Sequence, residues 1–237
     1  MIDFGLVASL IVAIGLPALL ATRWRDTGEP GSSFLDDVIG PLAAGVVAGR
    51  LVTLSLDDPT SIGSLSDMVV IRSGVEFWPG ALAAAGVVAW QAKRAGVSPM
   101  TRWAEFAPLA LLGYAAYEAT CVFRDGCLGP VSGIGLRPPG VQATMLPIGW
   151  FMAAGALTGA VLVYRLRRSA RPAVVVAVAV GFVAAVRSVG SVWLPHIGDG
   201  LTRPHQTSVV VVVLAAVTLV VLLMRGARAD QPAARDA

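Results

Sequence analysis

The sequence predicts an all-α, polytopic membrane protein with seven transmembrane helices, its N-terminus outside and its C-terminus in the cytoplasm. Three observations carry that prediction. Of 237 residues, 56% are hydrophobic before 26 glycines are counted, only 14% are charged, and the mean hydropathy is +0.74. An average soluble domain has about 25% charged residues, so the composition excludes a disordered chain, a nucleic-acid binder and an ordinary soluble enzyme. A helix needs ~20 predominantly apolar residues to cross the hydrocarbon core, and the chain offers seven such stretches. The third observation is the placement of the 18 basic residues, all arginine except Lys93, which concentrate in alternate loops as the positive-inside rule requires.

The expected spans run, in order, over Phe4–Ala21, Phe34–Leu54, Phe77–Ala92, Trp103–Val122, Thr144–Tyr164, Pro172–Trp193 and Gln206–Met224. The first is apolar throughout, and Asp3 is the only charge before it. With no basic segment ahead of that run, it does not read as a cleaved signal peptide. The second opens at Phe34 and carries one arginine, Arg50. The third is the weakest, with Glu76 just ahead of it and Pro79 near its start, and a partly broken first turn is expected there. The fourth contains Glu118, and the sixth opens at Pro172 and contains Arg187. The spans form one transmembrane domain over 1–224, and the polar, Ala/Arg-rich stretch 225–237 reads as a disordered cytoplasmic tail.

Loop charges orient the bundle. Arg23 and Arg25 follow the first span; Lys93, Arg94 and Arg102 join the third and fourth. Arg165, Arg167, Arg168 and Arg171 join the fifth and sixth, and Arg225 and Arg228 follow the seventh. The intervening loops carry Asp57, Asp58, Asp67 and Arg72, then Arg124, Asp125 and Arg137, then Asp199 and Arg203. All four basic segments agree on one topology.

Charges within spans are costly and need a reason. At ~1.5 Å of rise per residue, Arg50 lies about 20 Å beyond Asp37, Glu118 about 22 Å beyond Trp103 and Arg187 about 22 Å beyond Pro172. All three therefore fall at similar depth, in the outer half of the bilayer. One reading is a buried ion-pair network, since unpaired charges there are expensive. The other is a pocket for the phosphate of a lipid headgroup, which suits arginine because its planar fork matches phosphate oxygens and stays charged when buried. The two histidines, His196 and His205, lie in or beside the last outer loop, and imidazole is the natural base for a thiol. Cys121 and Cys127 lie six residues apart at the outer face, where either a disulfide or ordinary packing fits; their spacing is not that of a metal site.

The order of motifs resembles the prolipoprotein diacylglyceryl transferase family of the bacterial inner membrane. Ala48-Gly49-Arg50-Leu51 is similar to the family's Gly-Arg-Leu/Ile turn of the second span. Ser73-Gly74-Val75-Glu76-Phe77-Trp78-Pro79-Gly80 occupies the place of its Gly-Gly-Met-Ser-Phe-His-Gly-Gly segment. Ala104-Glu105-Phe106-Ala107-Pro108-Leu109 matches its Ala-Asp-x-x-Ala-Pro opening of the fourth span, with spacing altered by one or two residues. The stretch from Cys121 to Gly129 resembles its Gly-Cys-Phe-x-x-Gly-Cys-Cys-x-Gly ending. Arg187 stands where the family has an arginine in its penultimate span, and Gly200-Leu201-Thr202 with Gln206 is similar to its Gly-Leu-Thr-x-x-Gln start of the last.

The resemblance implies transfer of the diacylglyceryl group from phosphatidylglycerol to the lipobox cysteine thiol of a prolipoprotein signal peptide, with membrane lipid as solvent and neither cofactor nor metal. Such a reaction needs cations to hold the phosphate and stabilise the departing glycerol phosphate, here Arg50 and Arg187, with Arg124 and Gln206 in support. It also needs a base for a thiol whose ordinary pKa is ~8.5, for which Glu118, Glu76 and His205 are the candidates. The chain departs from the family at several motif positions. Trp78 stands in place of a histidine, Glu118 aligns with an arginine, and Ser191 replaces a glutamate. The fifth-span His-Pro-Thr-Gln-Leu-Tyr-Glu signature corresponds here to Ala143-Thr144-Met145-Leu146-Pro147-Ile148-Gly149. Those departures keep open an inactive paralogue that binds lipid or a lipoprotein precursor. A small-molecule transporter is a third reading, weakened by the lack of an inverted repeat.

Overall fold

The computed structural model describes residues 4–24, 34–57, 59, 75–123, 128–138, 140–194 and 200–229. Among them are seven α-helices: α1 (Phe4–Trp24), α2 (Phe34–Asp57), α3 (Phe77–Arg94), α4 (Pro99–Ala119), α5 (Ile148–Leu166), α6 (Pro172–Trp193) and α7 (Arg203–Ala229). Five of them, α1, α2, α5, α6 and α7, are long and apolar enough to cross a membrane. Large apolar side chains stand exposed along them, including Ile11 (65%), Leu19 (76%) and Leu214 (59%). Apolar surface on that scale marks lipid as the solvent, and the chain is a membrane protein. Helices α3 and α4 fall outside the set because α3 ends on Lys93 and Arg94, whereas α4 carries Arg102, Glu105 and Glu118.

The chain forms two compact units, one of Arg25–Trp103 and one of Met1–Trp24 with Ala104–Ala237. In the first, α2 and α3 pack through glycine. A Cβ on Gly80 would stand 2.7 Å from the Gly45 carbonyl oxygen, and one on Gly45 would stand 3.0 Å from that of Gly80. The start of α3 is tied to α2: the Glu76 N–H donates to the Gly49 carbonyl (3.2 Å) and to Thr53 Oγ1 (3.0 Å). Thr53 in turn donates to the Gly49 carbonyl at 3.0 Å. The expected break at the start of α3 does not occur. Pro79 is the third helical residue, where its missing N–H would have had no intrahelical partner, and the Gly80 N–H closes the first turn on the Glu76 carbonyl at 3.3 Å. The turn into α4 uses Gly96 at φ +70°, a conformation that favours glycine. Beside it, the Asp37 carboxylate lies 3.5 Å from Arg102, and Trp103 Nε1 donates to the Ala85 carbonyl at 3.0 Å.

The second unit is built on α4. Leu109, Leu111, Leu112, Ala115 and Ala116 are buried. Ala104, Leu111 and Leu112 form a core with Ala160 and Val163 of α5 and Val175 and Ala179 of α6. Gly113 admits α1 closely: a Cβ there would stand 2.8 Å from the Ala13 carbonyl, which the ring of Pro17 deprives of its usual intrahelical donor. Helices α5 and α6 meet through Gly155 against Val186 and Gly159 against Phe182, small residues permitting the close approach that holds helices together in lipid.

Several helix boundaries differ from expectation. The fourth helix begins at Pro99 and ends at Ala119, followed by a 3-10 turn over Cys121–Phe123. The fifth begins at Ile148 rather than Thr144. Strand β1 (Val131–Leu136) pairs antiparallel with Met145, and the Ser132 N–H donates to the Thr144 carbonyl (2.9 Å) and the Leu146 N–H to that of Pro130 (3.1 Å). These cross-strand bonds hold Thr144–Leu146 extended until Pro147 caps the helix. Helix α7 continues past Met224 to Ala229, so the segment expected as a tail from Arg225 starts as helix. Arg25, Asp58, Asp67, Arg72 and Asp199, expected to set topology, lie outside the described residues.

Candidate functional site

The candidate residues fall into two groups, one in each unit. In the unit of Arg25–Trp103, Arg50 is 4% exposed and follows Gly49. A Cβ on Gly49 would stand 2.6 Å from the Glu76 carbonyl oxygen, so only glycine lets the chain ahead of α3 run against α2 at the residue before Arg50. Thr53, one turn beyond Gly49, anchors the Glu76 N–H. The Gly49-Arg50 and Glu76-Phe77-Trp78 motifs are thereby brought together. Glu76 is the N-cap of α3, without a side-chain capping bond. Trp78 packs edge-on to Phe77 with ring centroids 5.1 Å apart.

In the other unit, the C-terminal half of α4, the C-terminal end of α6 and the first turn of α7 form a polar seam. Arg187 Nη1 donates to the Tyr114 hydroxyl at 3.3 Å, and Tyr114 also shares a side-chain hydrogen bond with Glu118. Tyr114 and Glu118 are four residues apart, on one face of α4. Two residues expected on depth alone to meet, Glu118 and Arg187, are thus joined through a tyrosine that the sequence reading passed over. The i, i+4 spacing of Tyr114 and Glu118 was the available signal.

One turn beyond Arg187, Ser191 Oγ donates to the Ser188 carbonyl at 2.9 Å. His205 Nδ1 lies 3.0 Å from Ser191 Oγ and 3.0 Å from the Ser188 carbonyl oxygen. The seam therefore runs from Glu118 through Tyr114 and Arg187 to Ser188, Ser191 and His205. Chemically, the seam holds a carboxylate, a phenol, a guanidinium matched to oxyanions and an imidazole able to accept a proton.

Two further residues make other contacts. Gln206 is exposed, and its Nε2 donates to the Leu201 carbonyl at 3.1 Å, a local contact ahead of α7. Cys121 is fully buried and disulfide-bonded, and a Cβ on Gly149 would collide with its side chain. Arg124, Asp125, Cys127 and His196 lie outside the described residues. On the outer face of α5 a shallow apolar groove of about 450 Å³ runs along Leu157, Val161 and Leu162 to Arg165. A second, of about 290 Å³, lies between α6 and α7 around Phe182 and Ala215. No protein-family model matches the chain, and no curated protein matches it.

Proposed function

We propose that this chain is a seven-span protein of the bacterial inner membrane that belongs to the prolipoprotein diacylglyceryl transferase family. It moves the diacylglyceryl group of phosphatidylglycerol onto the lipobox cysteine thiol of a prolipoprotein. Its N-terminus lies outside and its C-terminus in the cytoplasm. The observation that carries the reading is the seam at the C-terminal ends of α4 and α6, where Arg187 is oriented by Tyr114 beside Glu118. Both helices start at basic segments, Lys93–Arg102 and Arg165–Arg171, so the positive-inside rule turns the seam outward. That is the face at which secreted precursors arrive. Arg187 holds the lipid phosphate and stabilises the negative charge that gathers on glycerol phosphate as it leaves, the role that the resemblance also gives to Arg50. Exposed apolar helix faces supply a lipid-accessible environment for the acyl chains.

A second reading, binding of lipid or precursor without transfer, is favoured by Trp78. Its indole, packed against Phe77, accepts no proton. Expression in a strain depleted of its own transferase separates the two. The proposed activity yields diacylglyceryl-modified precursor, seen as a mass shift, and R187A abolishes it. Unmodified precursor at normal membrane levels of the protein refutes transfer. Reporter fusions after Met224 test the topology: a cytoplasmic signal is expected, and an external one refutes the orientation.

A further inference from the structure

We infer that His205 is the base of the transfer reaction, taking the proton of the incoming thiol at Nε2; this rests on the transferase reading above. The geometry around the ring selects its tautomer. Nδ1 lies 3.0 Å from the Ser188 carbonyl oxygen, an atom that only accepts hydrogen bonds. The contact is a hydrogen bond when Nδ1 carries the proton, and a lone-pair repulsion when it does not. Ser191 reinforces the choice. Its hydroxyl hydrogen is directed to the same carbonyl at 2.9 Å, leaving its oxygen to accept from Nδ1 at 3.0 Å.

A neutral imidazole protonated at Nδ1 presents a lone pair at Nε2, the arrangement of a general base whose ring is oriented through its other nitrogen. The ring is half-buried in the first turn of α7 and joined through Ser188 and Ser191 to the helix that carries Arg187. The base on α7 is thus bonded to Ser188 and Ser191 of α6, within about one helical turn of the phosphate-matching cation Arg187 along that helix.

The step balances without a further reactant. The thiol proton passes to Nε2, and the sulfur attacks the diacylglyceryl carbon bonded to the phosphate oxygen. The C–S bond forms as the C–O bond breaks, glycerol phosphate leaves with the electron pair, and the imidazolium returns its proton to that leaving group or to water. Among the described residues, the charged groups bonded into this seam are Arg187 on α6 and Glu118 on α4 through Tyr114; Arg203, two residues before His205 on α7, is exposed.

The test uses the full chain in phosphatidylglycerol vesicles with a lipobox peptide. H205N retains a donor at the Nδ1 position for Ser188 and lacks the Nε2 base. It is expected to lower turnover roughly 100-fold or more, with the KM for peptide little changed, and added imidazole is expected to restore part of the rate in H205A. Recovery with imidazole also shows that the variant is folded. Transfer by the unaltered protein that survives H205N within about threefold overturns the role of His205 and leaves the transferase reading standing. No transfer by the unaltered protein overturns both. Independently of activity, 15N NMR of histidine-labelled protein, with H205N assigning the signals, is expected to show the Nδ1–H tautomer. An Nε2–H tautomer overturns the inference.

Discussion

The close contact of α2 and α3 gives a sharp test of how this protein is packed. A Cβ added at Gly80 would lie 2.7 Å from the Gly45 carbonyl oxygen, against an ordinary contact distance of 3.4 Å or more. The clashing atom is backbone, with no rotamer to escape into, so the helices must separate locally by about 0.7 Å or bend, and overpacking of this kind costs about 1–3 kcal/mol. Gly86, on the same helix, is exposed and would meet nothing within 4 Å among the described residues. There, alanine gains about 0.5–1 kcal/mol of helix propensity. Both substitutions receive that gain, so the difference between them isolates the clash. At roughly 2–4 °C per kcal/mol for a chain of this size, Gly80→Ala is expected to unfold about 2–12 °C below Gly86→Ala. The assay is thermal unfolding of the purified full chain in detergent, followed by circular dichroism at one scan rate. A Gly80→Ala midpoint equal to or above that of Gly86→Ala refutes the close-packed helix pair.

Other side-chain contacts make narrower claims. Asp37→Asn removes the charge 3.5 Å from Arg102, whose side chain is 8% exposed, and is expected to cost up to about 3 kcal/mol. A double Asp37→Leu/Arg102→Met variant is expected to recover part of that in the same unfolding assay. Tyr114→Phe removes the hydroxyl shared by Arg187 and Glu118 and is expected to cost about 1–2 kcal/mol. A double-mutant cycle with Arg187→Met is expected to give at least about 0.5 kcal/mol of coupling, and strict additivity would rule the contact out. Cys121, disulfide-bonded, is expected to resist a thiol-alkylating reagent in unfolded, unreduced protein and to be labelled after reduction, as peptide mass spectrometry would report.

What could be read from sequence depended on whether a residue's partner is near it along the chain. The bounds of α6, Pro172–Trp193, match expectation because a long apolar run, interrupted in charge only by Arg187, is a local signal. Thr144-Met145-Leu146 was assigned to a helix because a short apolar stretch beside a longer one carries no period of its own. Its hydrogen bonds go to Pro130 and Ser132, a dozen residues earlier, and those bonds decide its conformation. The in-span charges Glu118 and Arg187 were found by depth alone, since each sits on a regular helix of countable rise. The intervening Tyr114 was missed because a tyrosine in an apolar run carries no charge to flag it. His205 could be named as a base candidate, but its tautomer depends on a carbonyl 17 positions earlier, which no local pattern encodes.

The least apolar helices follow from the same physics. A helix that faces lipid must be apolar over its exposed surface, as α7 is with Val210, Val213, Leu214 and Val217 exposed. A helix enclosed by other helices has no such requirement, because its neighbours, not lipid, solvate its polar groups. From Ala104 onward α4 is that kind of helix. Leu109, Leu111, Leu112, Ala115 and Ala116 are buried, Glu105 is 8% exposed, and Gly113 lets α1 approach within van der Waals contact. The polar residues that lower its hydropathy, Tyr114 and Glu118, are the ones that meet Arg187. Low hydropathy in α4 is therefore compatible with a membrane crossing in the proposed seven-span topology. It marks the helix around which the polar seam is assembled, and a charge on the lipid-facing side of α7 would find no comparable partner.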